Sequence, residues 1–250
     1  MKNVYLLTIP SELKSAQNLN FNVVNSENID FEDYNSQNNI IIRWGVGFGY
    51  VLDENGKDTA DFPNVINPIH SIILNVNKPK ALDALSQVVN TPTIYKNNVP
   101  SDVLAVYRPE KHTGGNGFNV KKGPFCISDG YYATEYINTN LEYRVWFCGQ
   151  HTMMARRAKM LINNKEKHKY PCRSKWGYEF VNMSRLLRKD TLLAAKTIGL
   201  DVGAADVLYS TDSKKYYFLE LNSAPSCDHW RVINFYNTNI PKLLKNINKT

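Results

Sequence analysis

Three residues near the carboxyl end of the chain have types and spacing suited to binding a metal ion. Asp206 lies in an apolar run, residues 203–210, and Glu220 and Asn222 lie in a second apolar run. The polar segment between the two runs, residues 211–215, is short, which is typical of a β-hairpin turn. The pattern therefore predicts two antiparallel strands that carry all three polar side chains.

The register of this hairpin decides whether the three side chains meet. We expect Tyr209 to pair with Tyr217, which sets Asp206 opposite Glu220. Because side chains alternate along a strand, Glu220 and Asn222 share one face. Two facing carboxylates repel each other unless a positive charge lies between them, and such oxygen ligands suit Mg²⁺ that keeps its other positions for water and phosphate. The alternative is the solvated polar face of a half-buried sheet.

The two strands resemble the closing motif of the ATP-grasp carboxylate-amine ligases. The resemblance lies in Gly-Leu-Asp-Val-Gly-Ala-Ala-Asp206 and in Leu-Glu220-Leu-Asn222-Ser-Ala-Pro. In that family the matching Asp, Glu and Asn hold the magnesium ions that bridge the phosphates of ATP. The resemblance thus implies Asp206, Glu220 and Asn222 as metal ligands, with ATP and Mg²⁺ as cofactors.

Further features of the family precede the hairpin in the expected order. An Asn-Lys pair before a predicted helix implies that Lys78 binds phosphate, and a solvated surface lysine is the alternative. The strand that ends near Arg108 leads into a glycine-rich loop, in which Gly114, Gly115 and Gly117 can turn backbone N–H groups towards phosphate oxygens. The family usually has lysine at the position of Arg108. An arginine there can still neutralise phosphate, because its planar guanidinium group donates two parallel hydrogen bonds.

Two strands after this loop resemble the nucleotide-binding hinge of the same family. The segment Thr-Glu135-Tyr136-Ile137 is similar to its Gln/Glu-Glu-Phe-Ile hinge, which implies that these residues line the adenine pocket. The segment Glu142-Tyr-Arg144-Val is similar to its Glu/Asp-x-Arg-Val strand. This match implies Glu142 at the ribose hydroxyls and Arg144 at phosphate or at the reacting carboxylate. A surface ion pair is the competing interpretation of Arg144.

A basic stretch provides a further candidate for catalysis. Met-Ala-Arg156-Arg-Ala-Lys159 resembles the Arg-Arg-Ala-Lys stretch of the glutamate ligases that extend ribosomal-protein tails. Positive charge directed at a transferring phosphoryl group is what this chemistry needs. Arg156 and Lys159 are an odd number of residues apart, so only one of them points inward from a strand, and we expect Arg156 to do so. Lys175 stands where those ligases carry asparagine, which is a departure from their pattern.

Length and composition permit one large or two modest domains. The chain has 250 residues, 43% of them hydrophobic, and shows no signal peptide or membrane-spanning run, so we expect a soluble, cytoplasmic protein. Four separated cysteines without a Cys-x-x-Cys pair indicate reduced thiols rather than a zinc site or a redox motif. A net charge of +7 favours an acidic partner, which is nucleotide phosphate, an acidic peptide or nucleic acid.

The resemblance implies an α+β protein with the ATP-grasp fold, in which two α+β subdomains grip ATP. We expect a reduced amino-terminal α/β domain over residues 1–76 and an ATP-grasp domain over residues 77–250. The lid subdomain should span about 90–134 and the main subdomain about 135–250. The apolar period also predicts a long helix over residues 178–200 that delivers the chain into the hairpin.

The function implied by the resemblance is ATP-dependent ligation of a carboxylate to an amine. The carboxylate accepts the γ-phosphoryl group of ATP to form an acylphosphate, the amine then displaces phosphate, and ADP remains. A small molecule, a peptide or protein tail, and nucleic acid all stay open as the acceptor. The alternative function is a nucleotide-binding or nucleic-acid-associated module without ligase turnover, which the departures at Arg108 and Lys175 favour.

Overall fold

The fold is described from a computed structural model of the chain, which covers residues 3–27, 34, 37–45, 64–110, 117–139, 141–159 and 176–247. Within these residues the strands form three larger sheets and a two-stranded ribbon. Each of the larger sheets uses its own part of the chain, so the sheets follow one another in sequence order.

The amino-terminal sheet is parallel and has the strand order β2-β1-β3-β4. Its strands are β1 (Asn3–Thr8), β2 (Asn22–Asn25), β3 (Asn39–Trp44) and β4 (Val65–Ile66), and the short helix α1 (Leu13–Ala16) follows β1. Every residue of β3 is buried, which is expected for an inner strand of a parallel sheet that is covered on both faces.

Two helices follow this sheet, α2 (Ile69–Val76) and α3 (Lys78–Ser86). Asn77 lies between them and caps α3, because its side-chain oxygen accepts a hydrogen bond from the backbone N–H of Lys80 at 3.2 Å. Pro79 is tolerated in the first turn, where its missing N–H would lack a helical partner in any case. The helix therefore begins at Lys78, next to the Asn-Lys pair, where the sequence predicted a helix.

A small antiparallel sheet comes next, with the order β5-β10-β7-β8. Its strands are β5 (Ile94–Tyr95), β7 (Leu104–Pro109), β8 (Asn119–Lys122) and β10 (Tyr131–Glu135). The strands β6 (Asn98–Val99) and β9 (Phe125–Cys126) pair with each other as a ribbon. We call the four-stranded sheet the lid sheet; the boundaries of the lid subdomain stay a prediction.

The main sheet is antiparallel and has the order β13-β12-β11-β14-β15. Its strands are β11 (Glu142–Cys148), β12 (His151–Lys159), β13 (Trp176–Phe180), β14 (Val202–Ser210) and β15 (Lys215–Asn222). The helix α4 (Arg185–Ile198) connects β13 to β14, and α5 (Trp230–Ile247) follows β15. Across the described ranges, no helix is both long and apolar enough to cross a membrane.

The helix predicted over residues 178–200 is shorter and begins later. Tyr178 lies in β13 and packs its ring against Trp146, with the ring centroids 5.3 Å apart. The helix α4 begins after Ser184, whose hydroxyl accepts a hydrogen bond from the backbone N–H of Leu187 at 3.1 Å. The predicted start is wrong because Tyr178 and Phe180, the first apolar residues of this segment, pair and pack as part of β13, and the helix cap at Ser184 comes only after them.

The β14–β15 hairpin differs from its predicted register near the tip. Tyr209 pairs with Tyr216 and not with Tyr217. The pairing then shifts by one residue next to Asp206, as it does at a β-bulge, and Asp206 lies opposite Glu220. The predicted tyrosine pair is therefore wrong, and the predicted alignment of the two acidic residues is confirmed.

Asn67 joins the amino-terminal sheet to the main sheet. Its buried side chain donates hydrogen bonds to the carbonyls of Arg43 at 3.2 Å and Val202 at 2.8 Å. It accepts hydrogen bonds from the backbone N–H groups of Asp201 at 2.9 Å and Val202 at 3.1 Å. The amide thus uses both donors and both acceptor positions. The end of β3 is consequently fixed beside the start of β14, the strand that carries Asp206.

One face of the main sheet changes character along its strands. On β11, Trp146 and Cys148 are buried in a core formed with the amino-terminal sheet and α5. Glu142 and Arg144 precede them on the same side of the strand, since residues two apart share a face. We call the region around Trp146 and Cys148 the apolar end of this face, and the region around Glu142 and Arg144 its polar end. The opposite face packs against α2, α3 and α4.

Candidate nucleotide and metal site

The polar end of the main sheet brings the three predicted metal-binding residues together. The side-chain nitrogen of Asn222 lies 3.4 Å from Asp206 Oδ2 and 3.4 Å from Glu220 Oε1. Asp206 is buried, and Glu220 and Asn222 are half-buried. The predicted convergence is therefore confirmed, because the three side chains meet instead of pointing apart into solvent.

The donor groups of this cluster fit a hard cation such as Mg²⁺. A hydrogen-bond donor, the amide nitrogen of Asn222, lies between the two carboxylates, and rotating that amide by 180° would present its oxygen there instead. Two carboxylates and an amide oxygen leave coordination positions for water and phosphate. The described parts of the chain contain no group of three or more His, Cys, Asp and Glu side chains that could hold a metal. Metal ligation by Asp206, Glu220 and Asn222 stays a prediction.

Arg144 forms a buried ion pair with Asp206. The two residues lie opposite each other on β11 and β14, and Arg144 Nη1 donates to Oδ1 at 3.1 Å and to Oδ2 at 3.2 Å. Their side chains are only 12% and 8% exposed, respectively. Arg144 is therefore not part of a surface ion pair, which was the competing interpretation. Its pairing offsets the cost of burying the two charges.

Arg156 is not the arginine that faces this site. Its Nε donates to Glu179 Oε2 at 3.0 Å, and the two side chains are 44% and 54% exposed. The next residue, Arg157, lies on the other face of β12, where Nη2 donates to Asp206 Oδ1 at 3.0 Å and Nη1 donates to Glu142. The inward orientation predicted for Arg156 is wrong, because alternation along the strand gives the inner face to Arg157.

The sequence contained a signal for Arg157. A two-residue turn, residues 149–150, joins β11 to β12. Counting from this turn places Ala155 opposite Arg144. Every second residue from Ala155, including Arg157, therefore shares the face of Arg144. The glycine at position 149 indicated the turn, whereas the prediction for Arg156 used only the spacing between Arg156 and Lys159.

Glu142 belongs to the same network of charges. Its side chain is 13% exposed and accepts a hydrogen bond from Arg157. Burial raises the pKa of Glu142, the charge of Arg157 lowers it, and the charge of Asp206 raises it. Burial alone would lower the pKa of Arg157, but Asp206 and Glu142 outweigh this effect and raise it, so the guanidinium stays charged. The predicted contact of Glu142 with ribose hydroxyls stays a prediction.

Lys78 reaches the cluster from the first turn of α3. Its Nζ lies 3.4 Å from Glu220 Oε2 and 3.4 Å from the backbone oxygen of Leu221. The side chain is largely buried, so Lys78 is not a solvated surface lysine. A positive charge is thus held beside one of the two candidate metal ligands, and its predicted contact with phosphate stays a prediction.

The lid sheet carries Arg108 and Tyr132 on the face directed towards the cluster. They lie opposite each other on β7 and β10, and the guanidinium carbon is 5.3 Å from the centre of the Tyr132 ring. Burial raises the pKa of Tyr132 to about 12, the charge of Arg108 opposes this rise, and the charge of Glu220 adds to it. The charges of Arg108 and Glu220 thus both act on the Tyr132 hydroxyl, and the predicted contact of Arg108 with phosphate stays a prediction.

Gly117 marks the end of the glycine-rich loop. Its φ is 72°, and a Cβ atom at this position would lie 2.6 Å from Cδ of Pro109 at the end of β7. A glycine is therefore required where the loop returns to the lid sheet. The other two predicted glycines, Gly114 and Gly115, lie outside the described residues, as does Lys175.

The predicted hinge connects the lid sheet to the main sheet. The backbone N–H groups of Glu135 and Tyr136 donate to the carbonyls of Thr93 at 2.8 Å and Leu104 at 2.9 Å. The Glu135 side chain accepts from the Thr93 hydroxyl at 2.8 Å and borders a cavity of about 510 Å³ between α3, β5 and β15. The predicted contact of residues 135–137 with adenine stays a prediction.

The amino-terminal sheet borders the site on a further side. Gly45, at the end of β3, has a φ of 77°, and a Cβ atom there would lie 2.8 Å from Cβ of Ala224. The strand β3 thus ends against the segment that follows β15. Burial and the charge of Asp228 raise the pKa of Glu12, and the charge of Arg144 lowers it. The sequence did not indicate Glu12 or Asp228, because only the fold brings these distant residues near Arg144.

Comparison with solved structures identifies the architecture. No protein-family model matches the chain, and no curated protein matches it in sequence. The ATP-grasp ligase PsnB, complexed with minimal precursor, Mg and ADP, is 14% identical over 97% of this chain and 99% of its own, with a TM-score of 0.64. The macrocyclase MdnC from Microcystis aeruginosa MRC, bound with precursor peptide MdnA, is 14% identical over 96% and 97%, with a TM-score of 0.57.

A third structure gives the same result. The D-alanine–D-alanine ligase from Bacillus anthracis, complexed with ATP, is 13% identical over 98% of this chain and 99% of its own, with a TM-score of 0.62. Similarity over nearly the whole length of each chain confirms the predicted α+β architecture. The narrower resemblance to ribosomal-protein glutamate ligases stays a prediction, because none of these three structures is of that type.

Proposed function

Because the chain has the ATP-grasp fold, we propose that it is an ATP-dependent ligase that joins a carboxylate to an amine and releases ADP and phosphate. The observation that carries this proposal is a set of three acidic and three basic side chains at the polar end of the main sheet: Glu142, Asp206, Glu220, Lys78, Arg144 and Arg157. The ion pairs among these side chains hold the charges in place, and such preorganised charge stabilises phosphoryl transfer.

The nucleotide would bind between the lid sheet and the main sheet. Lys78 from α3 and Arg108 from the lid sheet would neutralise its phosphates, and the glycine-rich loop would add backbone N–H groups. Residues 135–137 would border adenine, and Glu142 would accept hydrogen bonds from the ribose hydroxyls. The ion pair of Lys78 with Glu220, and the effect of both Arg108 and Glu220 on the pKa of Tyr132, support this assignment.

A divalent cation would be held by Asp206, Glu220 and Asn222. When bound, Mg²⁺ neutralises phosphate charge and aligns the β- and γ-phosphates for transfer. The PsnB complex with Mg and ADP supports the same pair of cofactors for this chain. The protein side chains would keep the cation next to Arg144, which is hydrogen-bonded to Asp206.

The proposed reaction has two steps. An oxygen of the substrate carboxylate attacks the γ-phosphorus, the bond between that phosphorus and the bridging oxygen of ADP breaks, and an acylphosphate forms. The amine then attacks the acyl carbon, phosphate leaves with the electrons of the C–O bond, and the amine loses a proton. Arg144 would neutralise negative charge on the carboxylate or the phosphoryl group. The lid sheet would exclude water, which would otherwise hydrolyse the acylphosphate.

The substrate that we propose first is a peptide. The PsnB complex contains a minimal precursor and the MdnC complex contains a precursor peptide, which supports this class. A free amino acid is the second class, supported by the name of the D-alanine–D-alanine ligase. We place the reaction in the cytoplasm, where ATP is available.

An ADP-release screen tests the proposal. The wild-type protein is incubated with ATP and Mg²⁺ and with pools of amino acids, peptides or nucleic acids. We expect a pool that contains both the carboxylate and the amine to stimulate ADP release. Glu220→Ala should abolish this release without loss of folding, and Glu179→Ala, an exposed glutamate of the same sheet, is the matched control.

The outcomes separate the two candidate functions. If nucleotide binds but no pool stimulates ADP release, the chain is a nucleotide-binding module and not a ligase. If Glu220→Ala releases ADP at the wild-type rate, the assignment of Glu220 to the metal site is wrong.

A further inference from the structure

We propose that Arg157 is a positioning residue of the nucleotide site, which holds Glu142 in the orientation that recognises the ribose hydroxyls. This inference rests on the proposed function, because it supplies a structural cause for the contact between Glu142 and ribose. It assigns a role to a residue that the sequence pattern left without one.

Arg157 connects two carboxylates that lie on different strands. Its Nη1 donates to Glu142 on β11, and its Nη2 donates to Asp206 on β14 at 3.0 Å. Since β11 lies between β12 and β14, the side chain of Arg157 reaches across a whole strand. The guanidinium group is planar, so the angle between its donors is fixed and the two carboxylates are held in a defined relation.

The two carboxylates depend on Arg157 to different degrees. Asp206 also accepts hydrogen bonds from Arg144 at 3.1 and 3.2 Å, so it keeps a cationic partner if Arg157 is removed. For Glu142, the charge of Arg157 is the largest effect that opposes burial. A buried carboxylate that loses its main counter-ion is destabilised and no longer held in one orientation. Loss of Arg157 should therefore act mainly through Glu142.

The hydrogen bond from Arg157 also determines which oxygen of Glu142 is offered to a ligand. The guanidinium group contacts Oε1. In the proposed arrangement, Oε2 would then accept the hydrogen bond from a ribose hydroxyl. A carboxylate held in this way distinguishes a ligand with ribose hydroxyls from one without them. A site built to hydrogen-bond a hydroxyl rejects the analogue that lacks it, because its buried polar group then stays unpaired.

The neighbouring Arg156 provides a matched control. It has the same residue type and lies on the same strand, but it contacts Glu179 on the outer face and is about half exposed. A substitution at Arg156 changes the net charge and the composition of β12 by the same amount as a substitution at Arg157. The two variants therefore make the same chemical change, one on the exposed face of β12 and the other on the largely buried face that contacts Glu142 and Asp206.

Calorimetric titration with ADP and with 2′,3′-dideoxy-ADP, both with Mg²⁺ present, tests the inference. We expect the wild-type protein to bind ADP about tenfold more tightly than the dideoxy analogue, which is the effect of one hydrogen bond to a charged group. Arg157→Gln should reduce this ratio to about one, and Arg156→Gln should keep the wild-type ratio. Arg157→Lys should give an intermediate ratio, because lysine supplies the positive charge but lacks the planar set of donors that lets arginine contact two carboxylates at once.

A double variant shows whether Arg157 acts through Glu142. Glu142→Gln alone should also reduce the ratio to about one, and adding Arg157→Gln should reduce it no further. Glutamine at position 142 carries no charge, so the double variant also remains foldable if Arg157→Gln alone does not. An additional loss of discrimination in the double variant would contradict the inference.

The remaining outcomes distinguish this inference from the proposed function. If Arg157→Gln keeps the wild-type ratio, or if Arg156→Gln is the variant that loses it, the inference is overturned while nucleotide binding stands. If the wild-type protein binds both nucleotides equally, the ribose contact of Glu142 is wrong and the inference fails with it. If the wild-type protein binds neither nucleotide, the proposed function itself is overturned.

Discussion

The two ends of one face of the main sheet have opposite properties although they share the same strands. Glu142 and Arg144 occupy the polar end of β11, and Trp146 and Cys148 occupy the apolar end. Burial of the apolar end stabilises the fold in proportion to its area. The buried charges at the polar end contribute little net stability, because the cost of removing them from water offsets their attraction. The apolar core and the candidate site are thus only two residues apart along β11, between Arg144 and Trp146.

The largest effect is expected at the apolar end. Trp146 is fully buried and stacks on Phe180, with the ring centroids 5.7 Å apart. Trp146→Ala should lower the free energy of unfolding by about 3–5 kcal/mol, measured by urea denaturation, because it leaves a cavity in the core. Trp146→Phe, which fills part of that cavity, should cost less. Equal costs for both variants would show that packing at this end does not set stability.

The next effect is expected at the junction between the two sheets. Asn67→Gly should lower the free energy of unfolding by about 3 kcal/mol, because it leaves buried backbone groups of β3 and β14 without hydrogen-bond partners. Glycine tolerates the φ of 57° at this position, so the loss reports on the amide and not on backbone strain. Asn67→Ala, which adds that strain, should be less stable still. A stability within error of wild type would contradict the role given to the amide.

A substitution at the polar end should affect binding. Lys78→Met should weaken binding of ADP with Mg²⁺ about tenfold, measured by calorimetry, because it removes a charged donor near the phosphates. Lys80→Met is the matched control, since Lys80 is exposed on the same helix. If both variants bind alike, Lys78 does not contact phosphate.

The smallest effect is expected on the outer face of β12. The ion pair of Arg156 and Glu179 is about half exposed, so solvent screens it. Arg156→Gln should change the free energy of unfolding by less than about 0.5 kcal/mol in urea denaturation. A larger loss would mean that the outer face contributes to stability as the apolar end does.

Local patterns predicted the parts of the site that lie within one hairpin or at one helix start. Alternation placed Glu220 and Asn222 on one face, and the helical spacing of apolar residues after Asn77 predicted the helix that begins at Lys78. The alignment of Asp206 with Glu220 was also predicted, although a bulge was needed to restore it. A bulge depends on how the whole hairpin packs, so the residue types in one strand do not reveal it.

Long-range contacts could not be predicted in the same way. The four hydrogen bonds of Asn67 and the approach of Glu12 to Arg144 join segments that are far apart in sequence. No periodicity within one segment encodes such a meeting. The choice of Arg156 over Lys159 as the inward residue failed for a different reason, since the turn at residues 149–150 contained the register and was not used.

Calorimetric titration of ADP with and without Mg²⁺, on the wild-type protein and on Glu220→Gln, tests the central claim most directly. If the polar end of the main sheet binds a nucleotide together with a divalent cation, Mg²⁺ should strengthen ADP binding to the wild-type protein by at least about tenfold, and Glu220→Gln should lose most of that gain. Equal affinities with and without Mg²⁺ in the wild-type protein, or an unchanged gain in Glu220→Gln, would contradict the claim.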